Sequence, residues 1–591
     1  MNVTAIDWSI IAAFFVISLL IGLYTSKQAG SSAKEFFLSG RNMPWWLLGV
    51  SMVATTFSAD TPNLVTDIVR KNGVAGNWAW WAFLLTGMLT VFVYAKLWRR
   101  SEVTTDLEFY ELRYSGKGAA FLRAFRAIYL GVFFNVVIMA TVSLAAIKIG
   151  GVMLGLTPVQ TLLIASIVTV VYSSLGGLKG VLLTDFFQFF IAMIGSFGAA
   201  YFILDLPEIG SLNNLLTHEN VAGKLDFLPD FSNPNAYIPL FLMPIAIQWW
   251  ATWYPGAEPG GGGYIAQRML SAKDEKNAIG ATLFFNIAHY AMRPWPWILI
   301  ALASLIIFPN ISDLQTAFPN IPADKLGDDL AYSAMLTYLP TGLIGIVLAS
   351  LIAAVMSTLS THLNWGSSYI VNDFYLRFMK PEASDKELVA VGRISTVVLM
   401  LLSAILALAL SSALDAFNIL LQIGAGTGLI FILRWFWWRI NAYTEISAMA
   451  ISFVVAIFFE VINPKVNWIM IPENQAYLKL IYSVSITTIG WLIVTFVTAP
   501  EKDEVLLSFY RKVTPAAFGW KKVLDRYPAE KQVIGQLPKE IGLMMIGSVM
   551  VYSALFSTGF FIYGNLLGGF VAGAIAITGG IIIIRSWKKL S

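Results

Sequence analysis

Apolar runs long enough to cross the roughly 30 Å core of a bilayer alternate with short polar connections along nearly the whole chain. They fall near 6–26, 44–69, 77–98, 124–152, 158–175, 181–204, 237–256, 278–308, 331–372, 391–412, 416–438, 443–463, 478–498, 541–562 and 565–585, about fifteen predicted helical spans. The pattern fails inside the second span. There Ser51-Met-Val-Ala-Thr-Thr-Phe-Ser-Ala-Asp-Thr-Pro62 sets hydroxyls, a carboxylate and a proline between apolar 44–50 and 63–69. Irregular backbone at membrane depth survives only where protein or water serves its freed carbonyls and N–H groups, and freed carbonyls are what a small hard cation needs. The stretch is either half of an ion site or a proline kink whose hydroxyls bond back to their own helix.

A second interruption lies in the seventh span, where Ile247-Gln-Trp-Trp-Ala-Thr-Trp-Tyr-Pro-Gly-Ala-Glu-Pro-Gly-Gly-Gly-Gly-Tyr264 runs into glycines and prolines that no helix continues through without loss. The two interruptions stand an odd number of spans apart, so one unit is inserted upside down relative to the other. That arrangement predicts an inverted-repeat secondary transporter with its site between the breaks, near the midplane.

Composition agrees with this picture. Hydrophobic residues fill 57% of 591 positions and charged ones 13%, about half the charge of a soluble domain. A net charge of +4 spread over loops makes no case for nucleic acid, and the absence of cysteine excludes disulfides and thiolate metal ligands. The basic residues follow the odd-numbered spans, as with Lys27, Lys34 and Arg41, then Arg99, Arg100 and Arg113, then Arg268, Lys273 and Lys276. The intervening loops 204–231 and 309–330 are acidic. By the positive-inside rule the N-terminus is expected outside and the C-terminus in the cytoplasm of a multi-pass plasma-membrane (cell inner membrane) protein, with 500–540 a cytoplasmic loop.

Several motifs resemble the sodium:solute symporter family, which includes sodium-coupled sugar, proline and sialic acid carriers. They are Glu35-Phe-Phe-Leu-Ser-Gly-Arg-Asn-Met-Pro-Trp-Trp46, Tyr172-Ser-Ser-Leu-Gly-Gly-Leu178 with Thr184-Asp185, Gln267-Arg268-Met-Leu-Ser-Ala-Lys273, and Ala354-Val-Met-Ser-Thr-Leu-Ser-Thr361. The resemblance implies an all-α, LeuT-like five-plus-five inverted repeat. Residues 44–204 and 237–438 would be the two repeats, joined by an outer loop 205–236, with an extra span within 1–43 and about four extra spans within 439–591.

The resemblance also implies a sodium site of carbonyls from Ala54, Phe57 and Ala354 with hydroxyls from Ser357 and Thr358. A neutral nest of oxygens of this kind suits a weakly held monovalent hard ion. Asp185, Ser360 and Thr361 match a second sodium site found in some members, although Ser360 and Thr361 could equally bond to carbonyls a turn earlier.

The solute site transfers less directly. Thr61 stands where sugar carriers tend to have an amide or acid, and 255–263 is an apparent insertion. Gln422 resembles a sugar-contacting glutamine. Trp249, Trp250 and Trp253 before the second break, with Asn77, Asp60 and Thr61, would suit a polar ring such as a sugar or nucleoside. Arg293, near the middle of the eighth span, needs a partner, for which Asp60, Glu258 and His289 are the candidates. It either recognises an anionic solute or braces the broken helix, and bracing is favoured. Asp67 and Lys148, near helix ends, are expected to snorkel, and His362 to be a satisfied core histidine.

No catalytic constellation occurs, so the expected function is sodium-coupled import of a small polar solute, sugar-like by slight preference. Amino-acid or organic-anion symport, sodium-independent facilitation and solute sensing on the same fold are the alternatives. The residues after the last span, Arg585 to Ser591, contain no signalling module, which favours a carrier over a sensor.

Overall fold

The computed structural model of the chain describes residues 3–56, 58–251, 259–319, 321, 326–410, 424, 426–472, 475–530 and 536–587. Among them, eleven helices are long and apolar enough to cross a membrane, and Trp45–Thr56 and Pro158–Val171 are shorter apolar ones. The fold is all-helical.

The second span is two half-helices, Trp45–Thr56 and Asp60–Asn72, with Ser58 and Ala59 outside both. Pro62 accounts for the gap. In the first turn of the second half-helix it owes no helical N–H, whereas in a continuous helix it would orphan the carbonyl of Ser58. That carbonyl instead accepts from the N–H of Thr61 at 3.1 Å. The seventh span breaks earlier than its glycines suggest: Met243–Ala246 gives way to a short turn at Gln248–Trp250, and helix resumes at Gly263–Ser271. Gly260 and Gly261 take φ of +82° and +91°, which glycine adopts without steric cost.

Two connections take a particular form. The fifth and sixth spans meet at a sharp kink at Gly177, whose φ of +53° and ψ of −161° are non-helical and where an added Cβ would lie 2.9 Å from the Phe36 carbonyl oxygen. The ninth span starts later than the hydropathy suggests. Leu330–Leu336 is a separate short helix, and Gly342, at φ +85°, precedes the span Leu343–Met379. Its first turn is capped from a distance: Asp7 Oδ1 accepts from the N–H groups of Gly342 at 2.7 Å and Gly345 at 2.9 Å, placing a carboxylate on the positive end of the helix.

The sixth and ninth spans pack along one another, and the first half of the second span packs against both. On the face carrying the basic loops, Met43 joins the two broken elements. Its N–H donates to the Ser271 carbonyl at 3.1 Å and its carbonyl accepts from Lys273 N–H at 3.0 Å. Residues 500–530 fold back on this face, with Phe509, Tyr510 and Trp520 buried and Trp520 Nε1 donating to the Trp435 carbonyl at 3.0 Å. Trp435 is therefore core.

Candidate functional site

The site begins where the first half-helix stops. A helix end leaves its last carbonyls without intrahelical partners. Here the Val53 carbonyl accepts from Arg293 Nη1 at 3.2 Å, the Thr55 carbonyl from Thr358 Oγ1 at 2.8 Å, and the Thr56 carbonyl from Thr61 Oγ1 at 3.4 Å. Among the described residues outside the helix itself, none donates to the Ala54 carbonyl. Phe57 lies outside the described residues, as do Trp253, Glu258 and Gln422.

The ninth span brings its hydroxyl face to this end. Ala354, Ser357, Thr358, Ser360 and Thr361 are all buried. Ser357 Oγ donates to Asp185 Oδ1 at 2.6 Å, and Thr361 Oγ1 lies 3.0 Å from Thr55 Oγ1. Ser360 bonds back to the Ser357 carbonyl at 3.0 Å, the habit of serines inside helices. Carbonyls and hydroxyls from the second and ninth spans thus converge on one buried level, with Asp185 of the sixth span beside them.

Arg268 is the residue that sequence reasoning placed wrongly. Counted as a loop charge, it is fully buried, with Nη2 2.8 Å from Thr361 Oγ1 and 3.8 Å from Asp185 Oδ2, and Nε 3.3 Å from Ser51 Oγ. Ser51 relays between them by donating to Asp185 Oδ2 at 2.5 Å. Gln267 fixes the guanidinium through a 3.0 Å bond to Nη1 and itself donates to Asn364 Oδ1 at 2.9 Å. The residues matched to a second sodium site are split by this arrangement. Asp185 and Thr361 come together around Arg268, whose cation stands between them, while Ser360 turns to its own helix. Ser51 and Thr55 were missed as well. Their only signal was spacing: one helical turn apart, they face the same side of the half-helix.

Nearer the eighth span, Arg293 is buried and contacts His289, a turn away, as well as the Val53 carbonyl, with its guanidinium 5.3 Å from the Trp297 ring. His289 Nδ1 also lies 3.2 Å from Thr56 Oγ1. Asp60 is within electrostatic reach. Trp80 stacks on Tyr290 at 5.8 Å and meets the His289 ring edge-on, so the break faces aromatic surface. Trp249 and Trp250 are half-buried. Asn77 is used locally, donating to the Val74 carbonyl and accepting from Trp80 Nε1 at 2.8 Å.

Asp67 and Lys148 do not snorkel. Asp67 is buried and pairs with Lys71 at 2.8 Å, and Lys148 is buried and pairs with Asp329 at 2.6 Å. His362 is a satisfied core histidine, bonded to Asn135.

Comparison with known proteins agrees with this geometry. Residues 36–452 match the family model of the sodium:solute symporter family. A sodium/glucose cotransporter of Vibrio parahaemolyticus is 26% identical over 476 residues, covering 77% of this chain and 85% of that protein. The sodium/sialic acid symporter SiaT of Proteus mirabilis (strain HI4320) is 24% identical over 476 residues, covering 76% and 89%. Sodium/myo-inositol cotransporter 2 of Bos taurus is 25% identical over 552 residues, covering 85% and 78%. Among solved structures, the substrate-bound outward-open state of a Na+-coupled sialic acid symporter superposes with a TM-score of 0.66 at 21% identity, covering 84% of this chain and 99% of that one. At that identity the likeness is one of fold, the LeuT-like inverted repeat that the sequence implied.

Proposed function

The chain belongs to the sodium:solute symporter family, and we propose that its sodium ion binds between the second and ninth spans, on oxygens of Ala54, Phe57, Ala354, Ser357 and Thr358, while it imports a sugar or polyol. It is a multi-pass membrane transporter rather than an enzyme, with sodium as the coupling ion. The observation that carries the site is the bond from Thr358 Oγ1 to the Thr55 carbonyl, beside the Ala54 carbonyl, to which no described residue outside its own helix donates. Coupling follows from that placement. An ion shifts a conformational equilibrium only by holding one state more tightly, and an ion shared by two spans favours the state that keeps them together. Each sodium driven by the membrane potential contributes about 2.3 kcal/mol per 100 mV.

One sodium per cycle is the stoichiometry supported while Arg268 stands between Asp185 and Thr361. A second ion at Asp185, Ser360 and Thr361 requires the guanidinium to withdraw.

The sugar reading rests on the aromatic surface of Trp80 and Tyr290 beside the break, with Trp249, Trp250, Asp60 and Thr61 as further contacts, since flat apolar faces with a few polar groups suit a sugar ring. It also rests on relatives described as glucose, mannose and myo-inositol cotransporters. An anionic solute is disfavoured because Arg293 spends donors on the Val53 carbonyl and His289. The N-terminus and the 205–236 loop lie outside, and the C-terminus and 500–540 lie in the cytoplasm.

Uptake into proteoliposomes tests this. Sugars and polyols should accumulate in sodium and not in choline. Equal uptake in choline removes the coupling, and preference for amino acids removes the solute reading. Because the chain has no cysteine, Glu219→Cys and Asp525→Cys report orientation directly: an impermeant thiol reagent applied to whole cells should label the first and spare the second.

A further inference from the structure

Gln188, in the sixth span, is 2% exposed, and among the described residues neither its amide oxygen nor its amide nitrogen has a hydrogen-bond partner. A primary amide offers two donors and an acceptor, and leaving them unmet in a protein interior is costly. The packing of two neighbouring helices establishes what Gln188 faces. Ser357 of the ninth span bonds to Asp185, and farther along the sixth span a Cβ at Gly195 would lie 2.8 Å from Ser350 Oγ and 3.4 Å from Val347 Cα. The two helices therefore run antiparallel. Gln188, one turn beyond Asp185 toward Gly195, comes opposite Ala354.

The first half of the second span approaches the same level. It packs against the sixth span, with Ser51 bonded to Asp185, and its last turn meets the ninth span where the Thr55 carbonyl accepts from Thr358. One turn on from Ser51 is Ala54, and one turn on from Asp185 is Gln188. The amide thus stands at the height of Ala54 and Ala354, two of the residues whose carbonyls the proposed site uses.

We propose that the Gln188 amide oxygen is a further sodium ligand, completing the shell formed by the second and ninth spans. This rests on the sodium site proposed above. An amide oxygen is a hard neutral donor like the backbone carbonyls around it. Glutamine rather than glutamate keeps the nest uncharged, which suits a monovalent ion that must also be released. Opposite it the ninth span carries the small side chains of Ala353 and Ala354. Sodium bound there ties three helices together.

The test is sodium-dependent thermal stabilisation of the purified full chain in sodium–choline mixtures at constant ionic strength. Gln188→Met, similar in volume but lacking the oxygen, should raise half-saturating sodium about tenfold or more. Its melting in choline should not fall, because an apolar isostere removes an unmet amide. Wild-type half-saturation in Gln188→Met overturns the proposal. Ser357→Ala, measured alongside, separates the two readings: if it weakens sodium and Gln188→Met does not, the site stands and Gln188 is no ligand. If neither weakens sodium, the site itself fails and the proposal fails with it. Should Gln188→Met not fold, Gln188→Asn withdraws the same amide by one methylene. A comparable weakening then supports the proposal, and unchanged sodium dependence overturns it.

Discussion

Thr358 donates its hydroxyl to the carbonyl of Thr55 at 2.8 Å, so the ninth span grips the second at the last turn before the helix stops. A carbonyl at that position has no N–H of its own helix to accept from. The bond therefore exists because of the break, and it brings the Ala54 carbonyl, one residue earlier, to the same hydroxyl-lined wall.

Removing either hydroxyl should weaken sodium far more than it weakens the fold. Ser357→Ala and Thr358→Val are each expected to raise half-saturating sodium for uptake about tenfold, the scale typical of losing one member of a metal site. Sodium titration of uptake at saturating solute checks this. Potassium and lithium titrations should show the loss to be specific to the coupling ion.

The buried pair Asp185 and Arg268 should behave as a unit. Asp185→Asn alone leaves a guanidinium buried without its counter-charge, at about 3–5 kcal/mol of stability. Arg268→Gln combined with Asp185→Asn should recover part of that loss, and thermal melts of the two single variants and the double variant read the coupling. If Asp185 also holds a second sodium, the Hill coefficient for sodium in the wild type exceeds one and falls to one in Asp185→Asn.

Arg293 is expected to brace rather than recognise. Arg293→Lys keeps the charge but loses the fork of donors that reaches the Val53 carbonyl and His289 at once. Melting temperature and uptake should fall together, with the order of preference among solutes unchanged. Selective loss of acidic solutes would instead make Arg293 a substrate contact.

Two neighbouring aspartates pin the opposite face. Asp328 pairs with Arg70 of the second span at 2.8 Å and Asp329 with Lys148 of the fourth at 2.6 Å. The basic partners are buried while the aspartates keep some exposure, 16% and 23% at the side chain. Breaking either pair should cost between the roughly 1 kcal/mol of an exposed pair and the roughly 3–5 kcal/mol of a buried one. The swap Lys148→Asp with Asp329→Lys should restore much of the loss. Thermal melts of the single and swapped variants measure this, and sodium half-saturation should stay near wild type throughout.

Several of these features were legible before any coordinates. Pro62 and the polar run before it forecast the first break, and the hydroxyls from Ser357 to Thr361 forecast a single helical face. The boundary between the fifth and sixth spans was legible too, since the apolar runs end at 175 and restart at 181 and the chain kinks at Gly177 between them. Phe36 and Ala29 pack against that position, which only glycine's missing Cβ leaves open. Arg268 was not legible: a charge near a span's end is usually solvated, and only its neighbours reveal that Asp185 and Thr361 have drawn it inside.

Taken alone, the chain determined that it crosses the membrane many times, where two of those crossings fail and which side chains carry oxygen at the failure. Hydropathy, proline sterics and helical periodicity act over a few residues and need no partners. What only the assembled helices decided is which oxygen is spoken for. Ser360 bonds to its own helix while Thr358 crosses to another, Asn77 is consumed locally, and among the described residues both ends of the Gln188 amide go unmet. Hydrogen-bond choice depends on ångström distances between segments hundreds of residues apart, and no local pattern encodes those distances.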